Sequence, residues 1–465
     1  MPSDPALAPD AGHSSAHAEE LSGQLAADGV HGIALCYVDT AGVARVKGIP
    51  VAGLASAARR GVGMSPVFDT FLSDDSIMNT DVLGGPDGDL RLVPDLARVV
   101  RLAGQPGWGW APVDRRQQDG EPHPGCSRTF LRRMVDRAAD AGITVKATIE
   151  IEWAIGRDDA PPGEFVPAVT GPAYGMARLV EQSDFTADLL AAFATEGIEV
   201  DQLHPEYAAG QFEVSVGALD PVAAADRSVL ARQTIRAVAG RHGLRVSFSP
   251  SVVAGTVGNG GHVHLSAWRD GRSLHAGGGG PYGLTTDGEA FVAGLLAHLL
   301  PLTGLATPSP ASFLRLQPSH WAGVFTCWGR EAREAAVRLV TGVTGDEPRA
   351  ANVEVKCADL AANPYLLLGG LVAAGVDGVT SGLKLPPETT GDPAQIEEGE
   401  RGRRGIERLP TNLGGVITAF SSSSLLREAL GPVLADAVLA VRRGEWARMV
   451  GAEPADVAAA YRWVY

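Results

Sequence analysis

Short apolar runs at residues 32–38, 43–49 and 90–93 alternate with Gly, Asp and Pro turns between Leu21 and Leu102. That is the pattern of a small sheet with little helix. Residues 103–125, which hold GQPGWGWAP and DGEPHPG, read as a linker or covering loop, and a domain boundary falls there. Beyond it the period changes. Ser127 caps an amphipathic run to Gly142 with Phe130, Leu131, Met134, Val135 and Ala138 on one face. A strand follows at 144–155, then a helix at 183–197 and a strand entering Asp201. A helix at 221–242 leads into a strand at 246–248, and long helices lie near 289–300 and 425–443. The expected class is α+β with a large sheet. The domains expected are a polar mobile tail at 1–20, a small N-terminal domain at 21–115 and a main domain at 116–465.

Composition narrows the partners. A formal net charge of -15 excludes nucleic acid and anionic membrane as partners by repulsion, but not a phosphorylated small molecule held through cations. The four cysteines, Cys36, Cys126, Cys327 and Cys357, show no CxxC or zinc-like spacing, as in a reduced cytoplasmic protein. The first twenty residues lack a signal-peptide pattern, and the apolar stretches fall short of the roughly 18 residues a spanning helix needs, so a soluble protein is expected.

Four segments carry candidate chemistry. In TIEIEW, alternation puts Ile149, Ile151 and Trp153 on one face and Thr148, Glu150 and Glu152 on the other. Paired carboxylates there suit either a solvent-facing edge or a site with a cation between them. DQLHPEYAAGQFEV gathers Asp201, Glu206 and Glu213 near His204, in a polar loop or a site. GTVGNGGHVHLS sets His262 and His264 on one strand face, as core histidines or as ligands. NVEVKCADLAANPYL puts Glu354 and Lys356 on the face that Val353 and Val355 leave. Taken together, oxygen ligands with an occasional imidazole suit Mg²⁺ or Mn²⁺, which usually bridge phosphate oxygens. No P-loop, Rossmann fingerprint, GxSxG elbow or catalytic-cysteine signature is present. Arg315, Arg330, Arg333 and Arg338 suit guanidinium forks for carboxylate and phosphate, although Arg333 and Arg338 could equally be solvated charges on a helix face.

In this order IEIEW, HPEYAAGQFE, NGGHVHLS, FLRLQP…REAREAAVR and VEVKCADLAANPYL resemble the motifs of the glutamine synthetase family. The resemblance implies a small N-terminal β-grasp domain followed by a catalytic domain with a curved antiparallel sheet and surrounding helices. It also implies a homo-oligomer, commonly a dodecamer of two hexameric rings with each site completed by a neighbour. By position, one metal falls to Glu152, Glu206 and Glu213 and the other to Glu150, His262 and Glu354. Asp201, His264, Ser266 and Arg338 match ATP-contacting positions, and Glu152, Gly258, Arg315 and Lys356 glutamate-binding ones. Arg333, Arg338 and Lys356 match phosphoryl-transfer positions. The implied reaction is attack of the glutamate γ-carboxylate on ATP, then of an amine on γ-glutamyl phosphate.

The acceptor pocket departs from that pattern. Ammonia-using members carry carboxylates where this chain has Trp321 and Ser65, although Asp69 is near and DLRLVPD keeps Asp89. Tyr174 matches an aromatic residue of the same pocket. Strict counting puts Val257 at the family's glutamate-contacting Asn, with Asn259 two residues on, and Asn352 and Lys356 replace arginines. The segment IEEGERGRRGIERLPTNL lacks the tyrosine that carries adenylylation in some bacterial members. Loss of acidic groups weakens capture of a small cation, so the expected acceptor is an organic amine, ethanolamine in the first place. The alternatives are a γ-glutamylpolyamine synthetase, a true glutamine synthetase and a non-catalytic relative.

Overall fold

In the computed structural model, which describes residues 11–465, the strands gather into three sheets. The first runs, neighbour by neighbour, Ala44–Pro50, Gly32–Val38, Trp108–Arg116, Leu90–Pro94 and Val62–Met64, with Val100–Arg101 also paired to Trp108–Arg116. Ile33, Leu35, Leu92, Ala111 and Val113 form its core. The three apolar runs are therefore strands, each within a residue of its expected limits.

Two expectations near this sheet fail. Residues 103–125 are not a linker, because Trp108–Arg116 is the strand to which three others attach. Its glycines and proline hid buried Trp110, Ala111 and Val113, and Pro112 stands at the end of the parallel ladder, opposite Cys36. The expected tail is corrected as well. Residues 11–20 open the helix Ala11–Ala27, an alanine-rich run that buries Ala18 and Leu25. Residues 1–10 lie outside the described residues.

The other two sheets build a curled, mainly antiparallel half-barrel. One holds Leu244–Ser247, Ile151–Arg157, Gln211–Val216 and Val200–Pro205. The other runs Arg272–Ser273, Val263–Arg269, Asn352–Val355, Ala335–Val340 and Phe325–Arg330, with Thr144–Ile149 also against Val263–Arg269. The strand expected at 144–155 is thus two strands in two sheets. Glu150 is the single residue between them, and its N–H donates to the His262 carbonyl at 2.9 Å. Phe325–Arg330 and Ala335–Val340 pair in parallel, Phe325 opposite Ala335 and Arg330 opposite Leu339. That register obliges residues 331–334 to run back along the sheet. Arg338 consequently lies on a strand and Arg333 on the return segment, not on a helix face.

Helices Ser127–Asp140, Ser183–Thr195, Pro221–Arg241 and Pro364–Thr380 enclose this half-barrel. Ser127 is the first helical residue rather than the cap, and its hydroxyl accepts from Asn363 instead. The two long helices expected late in the chain are each broken. Thr286–Ala297 and Leu299–Ala306 bend by 69°, and Gly431, at φ 78°, separates Ser424–Leu430 from Pro432–Met449. Among the described residues no single helix is long and apolar enough to cross a membrane.

Candidate active site

Strand register builds the site as two rows of side chains. Glu152 lies directly opposite Glu213, and Glu213 opposite His204. In the neighbouring sheet Arg338 faces Glu354, Glu354 faces His264, and His264 faces Thr148. Directly opposed residues of a ladder bring their Cβ atoms within about 5 Å, so each row is a compact polar stripe. Glu150, at the seam between the sheets, joins them. Its carboxylate pairs with His264 Nε2 at 2.9 Å and His262 Nδ1 at 3.0 Å. The solvent-edge reading of the TIEIEW carboxylates does not hold.

Apart from His264 and Thr148, these stripes line a cavity of about 840 Å³ with Glu206, Gly258, Arg315, Trp321, Arg333, Lys356 and Tyr174 on its walls. Two groups of donor atoms converge within 4.8 Å of one another: Glu150, His264 and Glu354, and His204, Glu206 and Glu213. Unscreened, two carboxylates at such spacing repel by about 4 kcal/mol at an effective dielectric near 20. A divalent cation removes that cost, and the donor set, carboxylate oxygens with imidazole, fits hard Mg²⁺ or Mn²⁺. The expected sets are brought together with three differences, the first being that Glu152 falls outside the converging group of His204, Glu206 and Glu213. His262 stands 3.5 Å from Glu354 and 3.8 Å from Glu152, while His264 enters the tighter group beside Glu150. His204, unassigned in the sequence reading, enters the other.

Charges around the two groups are unequal. Burial pushes the Glu152 carboxyl up to about 7, and Glu213 and Glu206 add to that against the pull of His262. Burial also raises Glu206. Glu150 goes the other way: burial opposes ionisation, but hydrogen bonds from His262 and His264 hold it well below the usual carboxylate range. At Glu354 burial is likewise outweighed, chiefly by the Lys356 ammonium at 2.9 Å, and the value falls to about 2. Arg338 Nη1 donates to the other Glu354 oxygen at 3.0 Å.

Glutamine and glycine hold the carboxylates in place. Gln211 Nε2 donates to Glu152 Oε2 at 3.0 Å, and also reaches the Gly258 carbonyl and Asn259 Oδ1. The Gly260 N–H donates to the same Glu152 oxygen at 2.8 Å. A Cβ on Gly260 would lie 2.6 Å from His262 Nε2 and 2.8 Å from Glu152 Oε1, so only glycine fits. Gln211 sits between the motif residues already singled out, yet nothing in its spacing disclosed its partners. Arg315 is pinned by Nη2 donating to the Cys357 and Ala358 carbonyls, both at 2.9 Å, which leaves the rest of its fork for a ligand.

One wall is aromatic. Tyr174 stacks on His204 with ring centroids 5.0 Å apart, meets Tyr207 edge-on at 5.6 Å, and donates its hydroxyl to Glu206. Tyr207 in turn stacks on Trp321 at 4.7 Å. Trp321 is 41% exposed, so it does not fill core volume.

Other expected residues lie elsewhere. Asp201 is exposed on Val200–Pro205, and Ser266 is buried and accepts from the Trp268 indole at 2.9 Å. Ser65 caps the turn Pro66–Thr70, and Asp89 accepts from Gln118. None of these four lines the cavity. Asp69 is fully buried between Arg115 and His123.

Comparison with known proteins agrees with this geometry. Residues 124–458 match the family described as glutamine synthetase, catalytic domain. The gamma-glutamylpolyamine synthetase GlnA3 of Streptomyces coelicolor is 64% identical over 449 residues, covering 96% of each chain. A solved structure described as a novel glutamine synthase homolog superposes with a TM-score of 0.83 at 32% identity, over 94% of this chain and 99% of that one. A GmaS complex with ADP gives 0.79 at 28% identity, over 92% and 96%.

Proposed function

The chain belongs to the glutamine synthetase family and is a ligase of it, and on that footing we propose that it joins the γ-carboxylate of glutamate to a polyamine with consumption of ATP. The coarser activity, an ATP-dependent γ-glutamyl-amine ligase, stands on the family match and the 64% identical relative. The ethanolamine acceptor expected from Trp321 and Ser65 is not supported; the polyamine alternative fits better. Loss of two acids was read there as loss of affinity for a charged amine. The observation that carries the polyamine reading is the aromatic wall of Tyr174, Tyr207 and Trp321 beside Glu206 and Glu213. Aromatic faces attract ammonium groups, so cation capture is moved from carboxylates to rings.

The reading assigns roles as follows. Arg315, held by main-chain carbonyls, receives the α-carboxylate of glutamate, with Gly258 and Glu152 beside it. Bound at the two groups of donor atoms, Mg²⁺ or Mn²⁺ supplies charge neutralisation for the phosphate oxygens. Glu152, Glu206 and Glu213 are proposed for one ion, with His204 alongside. Glu150, His262 or His264, and Glu354 are proposed for the other. Arg333, Arg338 and Lys356 stand where charge develops as the γ-carboxylate attacks the terminal phosphoryl group, and act by electrostatic stabilisation. The amine then displaces phosphate from γ-glutamyl phosphate, and Glu206 and Glu213 lie nearest the aromatic wall from which it enters. Asp201, His264, Ser266 and Arg338 are proposed for ATP, the first three from outside the cavity lining.

We also propose an N-terminal domain at 21–115 with the catalytic domain at 116–465, and a cytoplasmic dodecamer of two hexameric rings. In such rings Ser65 and Asp89, which miss their own cavity, would face a neighbour's. The test is phosphate release with ATP, glutamate and Mg²⁺, adding ammonium, ethanolamine, putrescine or spermine in turn. Polyamines should turn over fastest. Preference for ammonium or ethanolamine would overturn the acceptor reading, and no turnover with any amine would favour a non-catalytic relative.

A further inference from the structure

The aromatic wall has an anchor outside the residues given roles above. Trp321 lies in the segment between helix Ser312–Arg315 and strand Phe325–Arg330, and an indole this exposed is not held by a packed core. Its backbone is held instead: the Trp321 N–H donates to Glu334 Oε1 at 2.7 Å. Two residues earlier the Ser319 hydroxyl donates to Asp392 at 2.6 Å. Both Ser319 and Trp321 take left-handed backbone angles, φ 59° and 56°, which residues with a Cβ adopt only when their surroundings impose them. Glu334 secures the one that carries the indole.

The placement of Glu334 follows from strand register. It follows Arg333 on the return segment 331–334, which the parallel pairing lays along the sheet. The sequence thus sets a cavity-lining arginine and the anchor of the aromatic wall side by side. From Glu334 the contacts continue without a gap through Trp321, Tyr207 and Tyr174 to Glu206. One end of the row is the acidic group where the reacting amine arrives. The other end is the rim.

We propose that Glu334 is a positioning residue for acceptor choice: its grip on the Trp321 amide keeps the indole stacked on Tyr207, and the row so formed selects an amine that carries a second ammonium group beyond the reacting one. This rests on the polyamine reading above. A monoamine engages only the inner ring, whereas a diamine also lays its distal cation along the outer rings. The attraction of one cation to a ring, worth about 1 kcal/mol at such a half-open place, is lost when the indole is released.

The experiment compares wild type with Glu334→Ala, Glu334→Gln and Tyr207→Leu, using putrescine and butylamine as acceptors. KM and kcat are measured for each acceptor, KM for glutamate and ATP, and the Tm of each variant. In Glu334→Ala the putrescine KM should rise about fivefold while kcat and the other KM values stay within about twofold. Butylamine should be nearly unaffected. Glu334→Gln keeps a carbonyl to accept the Trp321 N–H and should stay within about threefold of wild type. Tyr207→Leu should reproduce the Glu334→Ala split. An unchanged putrescine KM in Glu334→Ala overturns the inference. So does Glu334→Gln as impaired as Glu334→Ala, which would make charge the agent rather than the anchor. A parallel rise of every KM with a fall in Tm would reduce Glu334 to a structural support. Wild type that ignores all polyamines sinks the acceptor reading and this inference together, whereas polyamine turnover with an indifferent Glu334→Ala sinks the inference alone.

Discussion

The Tyr174 hydroxyl donates to Glu206 Oε1 at 2.5 Å, so the aromatic wall is tied to the acidic group it overlooks. The ring and the hydroxyl are then separable contributions. Tyr174→Phe keeps the face and should raise the acceptor KM by no more than about threefold, while Tyr174→Ala removes the face and should raise it about tenfold. Equal KM values in the two variants would show that the ring contributes nothing.

A Cβ on Gly260 would press on both His262 and Glu152. Gly260→Ala should leave the far-ultraviolet circular dichroism intact while weakening Mn²⁺ binding by about ten- to a hundredfold, as disturbed ligand positioning does elsewhere. Titration calorimetry with Mn²⁺ decides it, and an unaltered affinity would mean that Glu152 is not held where the geometry puts it.

Lys356 and Glu354 form a buried pair, 4% and 2% exposed. Removing Lys356 leaves buried Glu354 with Arg338 as its remaining ion-pair partner, so Lys356→Ala should cost about 2 kcal/mol in urea unfolding without metal, the worth of one charge-assisted hydrogen bond. Mg²⁺ should recover part of that loss, because a cation then faces Glu354. Equal losses with and without Mg²⁺ would separate Glu354 from the metal site.

Metal and pH should act together through Glu152. Burial first, then Glu213 and Glu206, raise its carboxyl to about 7, above the value of about 4.3 for an unfolded chain. The neutral form is therefore favoured on folding. That stability is complete below about pH 4 and is lost as pH rises through about 7. A bound divalent cation needs the ionised form, so the Tm gain from Mg²⁺ should grow between about pH 6 and pH 8. A gain independent of pH across that window would contradict this.

The sequence disclosed the chemistry better than the architecture. Alternation in TIEIEW and NVEVK put Glu150, Glu152, Glu354 and Lys356 on the correct faces, since a period of two survives whatever sheet the strand joins. It did not show that Glu150 parts two sheets, because ladder membership depends on distant partners. Composition misled at Trp108–Arg116, where a glycine and a proline lie in a strand wedged between others, and at residues 11–20, where a polar sequence hid a helix with Ala18 facing inward. Gln211 and Glu334 stayed unread for one reason: each acts through hydrogen bonds to residues far away in the chain or across a turn. The acceptor was misjudged because the missing acids were visible in the motif, while the Tyr174–Tyr207–Trp321 stacking exists only after folding.

Glu150 alone joins the strand Thr144–Ile149 to Ile151–Arg157. The step from Glu150 of one candidate metal group to Glu152, which faces Glu213 of the other, is therefore gauged along the chain by bonds and angles, which change little. Such a gauge keeps its length while the surrounding core breathes. The acceptor wall has no such ruler: it hangs on an irregular segment and on hydrogen bonds from side chains. Lineages that share this frame are free to exchange one amine for another at the rim without recutting the phosphoryl-transfer centre.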